Sequence, residues 1–378
     1  MPICLPKDEM PMIYEVAPGT IFWRKYGKII IKPISSTKVA VVDLSLASLL
    51  MELSPSTEDQ VKEKLHALGE KNPQNVFDWL VECGILFNST SRSFKNLKNF
   101  LDAWPWGPIS AASLLGYQID NFEDDENVTN LLYQKRENIP KLFISENNQT
   151  ALQLPELIDT SLMRLLSERR TKRDFYDSPI SLKKVSNCLY AAFGITHQRL
   201  SKIGVYLPFG TNPSPGALNS VDCLLLAKNI ADLRAGAYWY APLDHSLQIS
   251  DSQVTDGINF GELFGGQDWL KRGACAVLFI AKFERIAWKY SLPSAVNSVL
   301  IEIGHKAQSL LLAAQEMNLA ATISGLIGVG AFDRKIFSEL GIELGELSIP
   351  IYAIILGNHA GAGEDEIAKL VPEQKGGV

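Results

Sequence analysis

The sequence predicts an α+β fold in which a mixed or antiparallel sheet is covered by helices and preceded by a winged-helix-like module. The first observation is a series of short apolar runs between Leu154 and Gly357, bounded by Gly, Pro or Asp, which indicate strands. These runs do not alternate regularly with helical patterns, which argues against a doubly wound sheet. The second observation is a hairpin pattern followed by three short helical patterns. We therefore predict a docking module at 1–90, a connector at 91–150 and the sheet domain at 151–378.

Composition argues against two broad classes of partner. The 378 residues are 46% hydrophobic and 21% charged, an ordinary globular composition. The chain carries 36 Lys and Arg against 42 Asp and Glu, a formal net charge of −6, and a mildly acidic chain is a poor general binder of nucleic acid or anionic lipid. No apolar stretch in the sequence approaches the roughly 18 residues that span a membrane. We therefore expect no nucleic-acid partner and no membrane partner.

Cysteine and histidine usage argues against disulfides and metals. The five cysteines and five histidines are scattered, with no CxxC or HxxxH spacing. The sequence therefore predicts neither a disulfide framework nor a structural zinc site, and we assign no metal ligands. The N-terminal MPICLPKDEM has no basic start followed by an apolar run, which argues against a signal peptide. We expect a cytoplasmic protein.

The first 90 residues have the pattern of a winged-helix-like module. Two strands are expected on either side of a tight turn at Tyr26-Gly27. The first helix is expected within 43–53. The second begins at STEDQV, with Ser56 as its cap and Asp59 at the third helical position, and the third ends at Gly84.

DNA binding is the default function of such a module, but its charge argues for another partner. Residues 1–90 contain 9 Lys and Arg against 11 Asp and Glu, so the basic face that DNA requires is not evident. A strand edge beside a helix can instead accept an extended peptide by strand addition. We therefore predict a peptide-docking or protein-docking role.

Beyond this module, a polar and acidic connector leads to the patterned domain. The connector includes NFEDDEN, and Trp104 and Trp106 indicate that part of it packs against another segment. A helix is expected before Ser167, another over ISLKKVSNCLYAAFG, and the longest over 295–317. Strands are expected at 221–229, 236–242, 274–283 and 349–357.

The segment SERRTKRDF places four cations, Arg169, Arg170, Lys172 and Arg173, around Thr171. Arginine side chains are forked donors that suit a phosphate and the polar edge of a planar ring system. The alternative is a solvated helix end.

Two small-residue segments follow, each open to two interpretations. NPSPGALNS, residues 212–220, has a bare backbone that a flat ligand can approach closely, or it is an ordinary surface turn. NLAATISGLIG, residues 318–328, offers backbone N–H groups to a cofactor, or it is simply the tight start of a strand.

The fourth candidate is the Lys289-Tyr290 pair in WKYS. A desolvated lysine has a lowered pKa and can act as a general base, and a tyrosine can relay a proton. The alternative is an exposed lysine beside a half-buried tyrosine.

Taken in order, these segments resemble the SagB-type branch of the nitroreductase-like flavoproteins over about 154–358. RRTKRDF resembles the R-x-S/T-x-R/K-x-F opening, and PSPGALNS resembles the PSxGAxxS loop. GAYWYAPLDHSLQ and IEIGHKAQSLLLAAQEMNL resemble two further elements of that branch, and WKYS matches its Lys-Tyr signature. Two features depart from the branch: SLPSAVNSV replaces an Arg-rich tract after Tyr290, and Gln308-Ser309 replaces Gln-Asn. These departures bear mainly on the identity of the substrate.

The resemblance implies an FMN-dependent dehydrogenase that oxidises azoline rings in a ribosomal precursor peptide to thiazoles or oxazoles. It implies that Lys289 is the base, with Tyr290 relaying the proton or orienting the base. It also implies that Arg169, Thr171 and Arg173 face FMN, whereas the side chains of Arg170 and Lys172 point elsewhere. The implied cofactor-binding residues are Arg169, Arg170, Thr171, Arg173, Pro213, Ser214, Pro215, Gly216, Gln308, Ile323, Ser324 and Gly325.

The resemblance also implies a homodimer with sites at the subunit interface and an association with a cyclodehydratase complex. Two other functions stay open. One is a flavin-dependent NAD(P)H reductase of dehydroamino acids, other activated double bonds or nitro groups. The other is a non-catalytic docking subunit of a peptide-modifying complex.

Overall fold

The computed structural model describes residues 11–34, 36, 38–115, 130, 133–134, 154–249, 258–325, 337 and 342–359. Most of the predicted connector and the last three residues of the 318–328 segment lie outside these ranges. Within the described ranges, no helix combines the length and the apolarity that crossing a membrane requires.

The N-terminal part combines short strands with three helices. Its strands are β1 (Ile13–Val16), β2 (Ile21–Lys25), β3 (Lys28–Lys32), β4 (Ala40–Val42), β5 (Ser56–Thr57) and β6 (Leu86–Asn88). Its helices are α1 (Leu44–Met51), α2 (Glu58–Ala67) and α3 (Pro73–Glu82). The strands form two sheets, in the orders β5-β1-β6 and β2-β3-β4. The predicted hairpin is confirmed: β2 pairs with β3 in antiparallel register, and Tyr26 and Gly27 both have positive φ.

The helix caps correct one prediction and confirm another. Thr57, not Ser56, caps α2, and its capping box is completed by Gln60 at the third helical position. Ser56 is unavailable as the cap because it pairs with Tyr14 in the sheet and its hydroxyl donates to Ser54 O. Gly84 follows α3 with a φ of 70°, as a glycine after a helix C-terminus should.

The N-terminal strands and helices share a cluster of buried side chains. Ile31 on β3, Leu50 on α1, Leu65 on α2 and Leu80 on α3 are all almost completely buried in it. The three helices therefore point their apolar faces at the same centre.

Part of the predicted connector is helical and packs into the main core. Helices α4 (Arg92–Ala103) and α5 (Gly107–Leu115) flank Trp104 and Trp106, which are both buried. The two indoles lie edge-to-face against each other and against Phe283, with centroid distances of 5.0 to 6.2 Å. The two tryptophans therefore pack against the sheet domain.

The remaining strands form one antiparallel sheet with small additions. They are β7 (Phe175–Tyr176), β8 (Ile180–Ser181), β9 (Ile195–Leu200), β10 (Tyr206–Gly210), β11 (Val221–Ala227), β12 (Ile230–Ala231), β13 (Gly236–Ala241), β14 (Ser246–Ile249), β15 (Cys275–Lys282), β16 (Ala320–Ser324) and β17 (Ser348–His359). The main sheet has the order β14-β13-β11-β15-β17-β16, with β7 on the end of β17, and all its pairs are antiparallel. The predicted α+β class and the four predicted strands are confirmed.

The helices described in the sheet domain are α6 (Ser161–Glu168), α7 (Leu182–Phe193), α8 (Phe260–Leu263), α9 (Phe283–Ala287) and α10 (Ala295–Glu316). Some of them cover both faces of the central strand, β15. Val277 and Phe279 of β15 face one core cluster with α7 and α10, whereas Leu278 and Ile280 face a second cluster with α8. The longest predicted helix, α10, is confirmed.

The helix expected before Ser167 is shorter than its apolar pattern indicates. Helix α6 begins only at Ser161, because the Thr160 side chain caps it by accepting from Met163 N. The preceding Leu157 and Ile158 are not helical, and they are 83% and 80% exposed. None of the residues of α6 is buried.

Candidate active site

The candidate catalytic pair lies directly against the bare backbone of Gly216. A Cβ atom at Gly216 would be 2.9 Å from Lys289 Nζ and 2.9 Å from Tyr290 Oη. Gly216 also has a φ of 65°, in the left-handed region that favours glycine. The structure therefore brings together two sequence segments, PSPGA and WKYS, which lie more than 70 residues apart.

The pair is presented by the residues that follow α9. The amides of Lys289 and Tyr290 both donate to Ile286 O, and the indole N–H of Trp106 donates to Tyr290 O at 3.2 Å. Lys289 is exposed and Tyr290 is half-buried, which matches the simpler of the two sequence interpretations. The residues described for one chain do not desolvate Lys289, so its ammonium stays accessible.

The segment 212–220, which we call the glycine loop, is anchored at its start and in its middle. The side-chain amide of Asn212 donates to Ala191 O and Ala192 O at the end of α7. Ser214 Oγ accepts from Asn219 N at 2.9 Å and donates to Glu302 Oε2 at 2.8 Å. The loop is therefore a fixed turn with its glycine at the apex.

A buried ion pair on α10 lies beneath the glycine loop. Glu302 has no exposed surface and Lys306 is 3% exposed, and their Oε1 and Nζ atoms are 3.6 Å apart. Glu302 Oε2 also accepts from Ser220 Oγ at 2.7 Å, and Lys306 Nζ donates to Asn219 Oδ1 at 3.1 Å. Burial lowers the pKa of Lys306, and the neighbouring Glu302 carboxylate opposes that shift.

Sequence reasoning missed Glu302 and Lys306. The available signal was a carboxylate and an ammonium four residues apart, placed among the buried apolar positions Val299, Ile303 and Ala307 of the longest helix. Charges in such a stripe are rarely buried unless they are paired.

The cationic segment is held along β16. Lys172 N donates to Ala321 O at 3.1 Å, and Arg169 closes α6 as its C-cap residue. Arg170, Thr171 and Arg173 are exposed, whereas Arg169 and Lys172 are half-buried, so exposure does not follow the alternation expected for an FMN clamp. The Arg170 guanidinium donates to Ser167 O and to Arg169 O.

The remaining predicted cofactor residues lie at the end of β16 and on α10. Ser324 is buried and accepts from Gln267 Nε2 at 2.8 Å, whereas Ile323 is half-buried. Gly325 is exposed, and a Cβ there would meet nothing within 4 Å. Gln308 is exposed on α10.

These residues fit a flavin nucleotide by their chemistry. Among the described residues, Arg169, Arg170 and Arg173 take part in no salt bridge, so Arg169, Arg173 and the donors of Arg170 other than Nη1 can bind a phosphate. Gly325 leaves backbone with nothing within 4 Å of its Cβ position, which a planar ring system can approach, whereas the Cβ position of Gly216 is contacted by Lys289 and Tyr290. The cationic segment and β16 form one group of predicted residues, and the glycine loop with Lys289 and Tyr290 forms the other.

An antiparallel sheet covered by helices, with residues that fit a flavin nucleotide, is the arrangement expected of a flavin-dependent oxidoreductase. The chain belongs to the Nitroreductase family, whose model matches residues 166–358, about half of the sequence. The matched range includes every residue that the sequence assigned to cofactor binding or catalysis. The N-terminal module and helices α4 and α5 lie outside it.

Known proteins with similar sequences or structures match between about half and two thirds of the chain. The Methanocaldococcus jannaschii protein MJ1384, which bears the name nitroreductase, is 29% identical over 194 residues, which are 51% of this chain and 90% of the relative. A structure from Ralstonia eutropha JMP134, described as a nitroreductase, has a TM-score of 0.42 and 22% identity, and the match covers 59% of this chain and 95% of that one. The E. coli microcin synthetase McbBCD complex with truncated pro-MccB17 bound gives a TM-score of 0.40, 19% identity and coverages of 62% and 94%.

Proposed function

We propose that the protein is an FMN-dependent dehydrogenase that oxidises azoline rings of a ribosomal precursor peptide to thiazoles or oxazoles. The observation that supports this most is the contact of Lys289 and Tyr290 with the apex of the glycine loop. That contact supports the roles proposed for Lys289 as base and Tyr290 as proton relay, because the resemblance assigns the same loop to the flavin.

Bound FMN would supply the acceptor for the hydride that leaves the ring carbon. Arg169, Arg170, Thr171 and Arg173 would hold its phosphate and polar ring edge. The backbone of Pro213–Gly216 would lie along the ring system. Gln308 and the residues Ile323–Gly325 would complete the pocket.

In this proposal Lys289 removes the proton from the azoline Cα, which the adjacent C=N group acidifies. A lysine can accept a proton only when it is neutral, and desolvation favours the neutral form. Because Lys289 is exposed in the single chain, the peptide or a second subunit would have to cover it. The half-buried Tyr290 would orient Lys289 or carry the proton away.

The experiment compares the wild-type protein, Lys289→Ala and Lys183→Ala on a peptide that contains a thiazoline. Lys183 is an exposed lysine on α7 and provides the matched control. We expect Lys183→Ala to remove two hydrogen atoms per ring as the wild type does, with FMN identified in the denatured sample. Lys289→Ala should keep its flavin and lose this activity. Ring oxidation by Lys289→Ala at the wild-type rate would contradict the role of Lys289.

A reductase of activated double bonds or nitro groups is the second candidate function. The exposure of Lys289 favours it, because hydride delivery from NAD(P)H does not require a neutral lysine. The replacement of the family's Arg-rich tract by Ser291, Leu292 and the following residues points in the same direction. Stopped-flow mixing with NADPH distinguishes the two functions, since rapid bleaching of the flavin absorbance is expected only of the reductase.

A second copy of the chain is the expected partner at α6. The apolar side chains of Leu162 and Leu166 are 55% and 42% exposed, and Leu157 and Ile158 just before the helix are more exposed still. An apolar face of this kind, followed directly by the cationic segment, supports a homodimer that covers the flavin site.

The N-terminal module would bind the precursor peptide by strand addition at β4. This strand is an edge of the β2-β3-β4 sheet, and Val39 and Val41 are 52% and 60% exposed. We expect Val41→Asp to weaken peptide binding by about tenfold, measured by fluorescence anisotropy. The control Val81→Asp places the same charge at an exposed position of α3. Equal affinities for the two variants would contradict docking at β4.

A further inference from the structure

Three polar residues on one face of α10 contact the glycine loop along its length. Glu302, Lys306 and Ser309 are spaced by four and then three residues, which places them on the same side of a helix. Ser309 Oγ donates to Asn212 Oδ1 at the start of the loop, and Lys306 Nζ donates to Asn219 Oδ1 near its end. The helix therefore contacts the loop on both sides of its glycine.

Glu302 holds the middle of the loop through a chain of hydrogen bonds. Its Oε2 atom accepts from the hydroxyls of Ser214 and Ser220, and the Ser214 oxygen accepts in turn from Asn219 N. The Glu302 carboxylate therefore orients the Ser214 hydroxyl, and the hydroxyl oxygen accepts a hydrogen bond from the backbone N–H of Asn219.

This ion pair is a costly way to stabilise a core. Glu302 Oε1 is fully buried and has no hydrogen-bond partner among the described residues, and Lys306 Nζ is 3.6 Å from it. Burying two charges carries a large desolvation cost, and apolar replacements of such pairs are often neutral or stabilising. Stability alone therefore does not explain the pair, and a role in defining the loop conformation does.

The loop needs such anchors because its backbone is strained. Ala217 and Asn219 have φ values of 55° and 44°, in the left-handed region, which is strained for alanine and more readily adopted by asparagine. Ala217 follows Gly216 directly, so a loop that relaxed at Ala217 would move Gly216 away from Lys289 and Tyr290.

We propose that Glu302, Lys306 and Ser309 are positioning residues that hold the glycine loop against Lys289 and Tyr290. They act through the loop, which meets Lys289 and Tyr290 at Gly216. The catalytic consequence rests on the proposed function, whereas the conformation of the loop is a property of the protein itself.

The test is residue-resolved hydrogen exchange of the loop amides in wild type, Glu302→Gln and Glu316→Gln. Glu316→Gln makes the same chemical change at an exposed position of α10. In Glu302→Gln we expect Ala217 N and Asn219 N to exchange about tenfold faster, since hydrogen bonds to a charged group contribute on that scale. Amides of β15 should be unchanged, as should the whole Glu316→Gln protein.

A second variant and a second readout keep the proposal falsifiable. If Glu302→Gln fails to fold, the double variant Glu302→Gln/Lys306→Met also removes the Lys306 ammonium, which would otherwise be buried without its carboxylate partner. The same increase in exchange rate, confined to the loop amides, is expected of the double variant. Fluorescence titration of either folded variant should give a Kd for FMN about tenfold higher than that of Glu316→Gln. Unchanged loop exchange, or equal acceleration in β15 and the loop, would overturn the positioning role. A wild type inactive on thiazolines would refute only the proposed function.

Discussion

Gly216 is so close to Lys289 that a single added methyl group would lie 2.9 Å from the ammonium nitrogen. Residues from two distant parts of the sequence are therefore in close contact at the apex of the glycine loop. The relationship makes the glycine itself a probe of the site.

Gly216→Ala is expected to lower turnover much more than it lowers stability. Its φ of 65° costs an alanine about 1 kcal/mol, and the new methyl must displace Lys289 or Tyr290. Displacement of catalytic groups on this scale lowers kcat by about a hundredfold. Gly204→Ala is the matched control, because Gly204 has a φ of 77° with nothing within 4 Å of its Cβ position. Similar denaturation midpoints but equal kcat for the two variants would argue against a crowded site.

Trp106→Phe is expected to slow catalysis through Tyr290. The substitution keeps an aromatic ring beside Phe283 and removes the N–H that donates to Tyr290 O. Trp104→Phe is the control, since it removes an equivalent bond to Ser110 Oγ. Both variants should lose about 1 kcal/mol in urea denaturation, but only Trp106→Phe should lower kcat. A fall in kcat of the same size in both would indicate a general packing effect.

The buried thiol of Cys188 is expected to make the protein less stable as the pH rises above the ordinary pKa of a cysteine. Burial raises the pKa of its thiol to about 12 in the folded protein, whereas the unfolded value is about 8.5. Between these values the unfolded chain binds fewer protons than the folded one, so stability falls as pH rises. The cost of Cys188→Ala should therefore shrink by about 2 kcal/mol between pH 8 and pH 10. Urea denaturation at the two pH values measures it, and a constant difference would contradict the buried thiol.

Leu162→Glu is expected to dissociate the dimer proposed to form at α6. A carboxylate would then be placed in an apolar interface, where an unpaired charge is strongly disfavoured. Size-exclusion chromatography with light scattering should report a monomer, and FMN should be lost with the partner. Leu68→Glu, at a leucine that is 41% exposed in the N-terminal module, should leave the mass unchanged. A dimeric Leu162→Glu protein would place the interface elsewhere.

The strands and the long helix were predictable because their signals are local. Strand β15 reads as eight consecutive residues, CAVLFIAK, and seven of them are buried. Such a run can only be a strand covered on both faces or a buried helix, and its flanking Gly273 favours the strand. The contact of Lys289 with Gly216 was predictable only through the family resemblance, since no local rule joins residues 70 positions apart.

The errors came from interactions that a single segment does not encode. Ser56 was expected to cap α2, but a sheet pairing with Tyr14 moved the helix start by one residue. Leu157 and Ile158 were expected to be helical, but both are at least 80% exposed, so packing against the described residues does not stabilise a helix there. The exposure of Lys289 similarly depends on what covers it, which the sequence of one chain does not specify.

The bond between Trp106 and Tyr290 also bears on how far this chain can be treated as modular. The range that matches the family begins at residue 166. Trp106 lies 60 residues earlier, yet its indole packs edge-to-face against Phe283 within that range. Excising the matched half would uncover an aromatic surface next to the proposed catalytic pair. Helices α4 and α5 are therefore a structural part of the oxidoreductase domain rather than a linker that leads to it. Moving this domain into another protein would require keeping both helices.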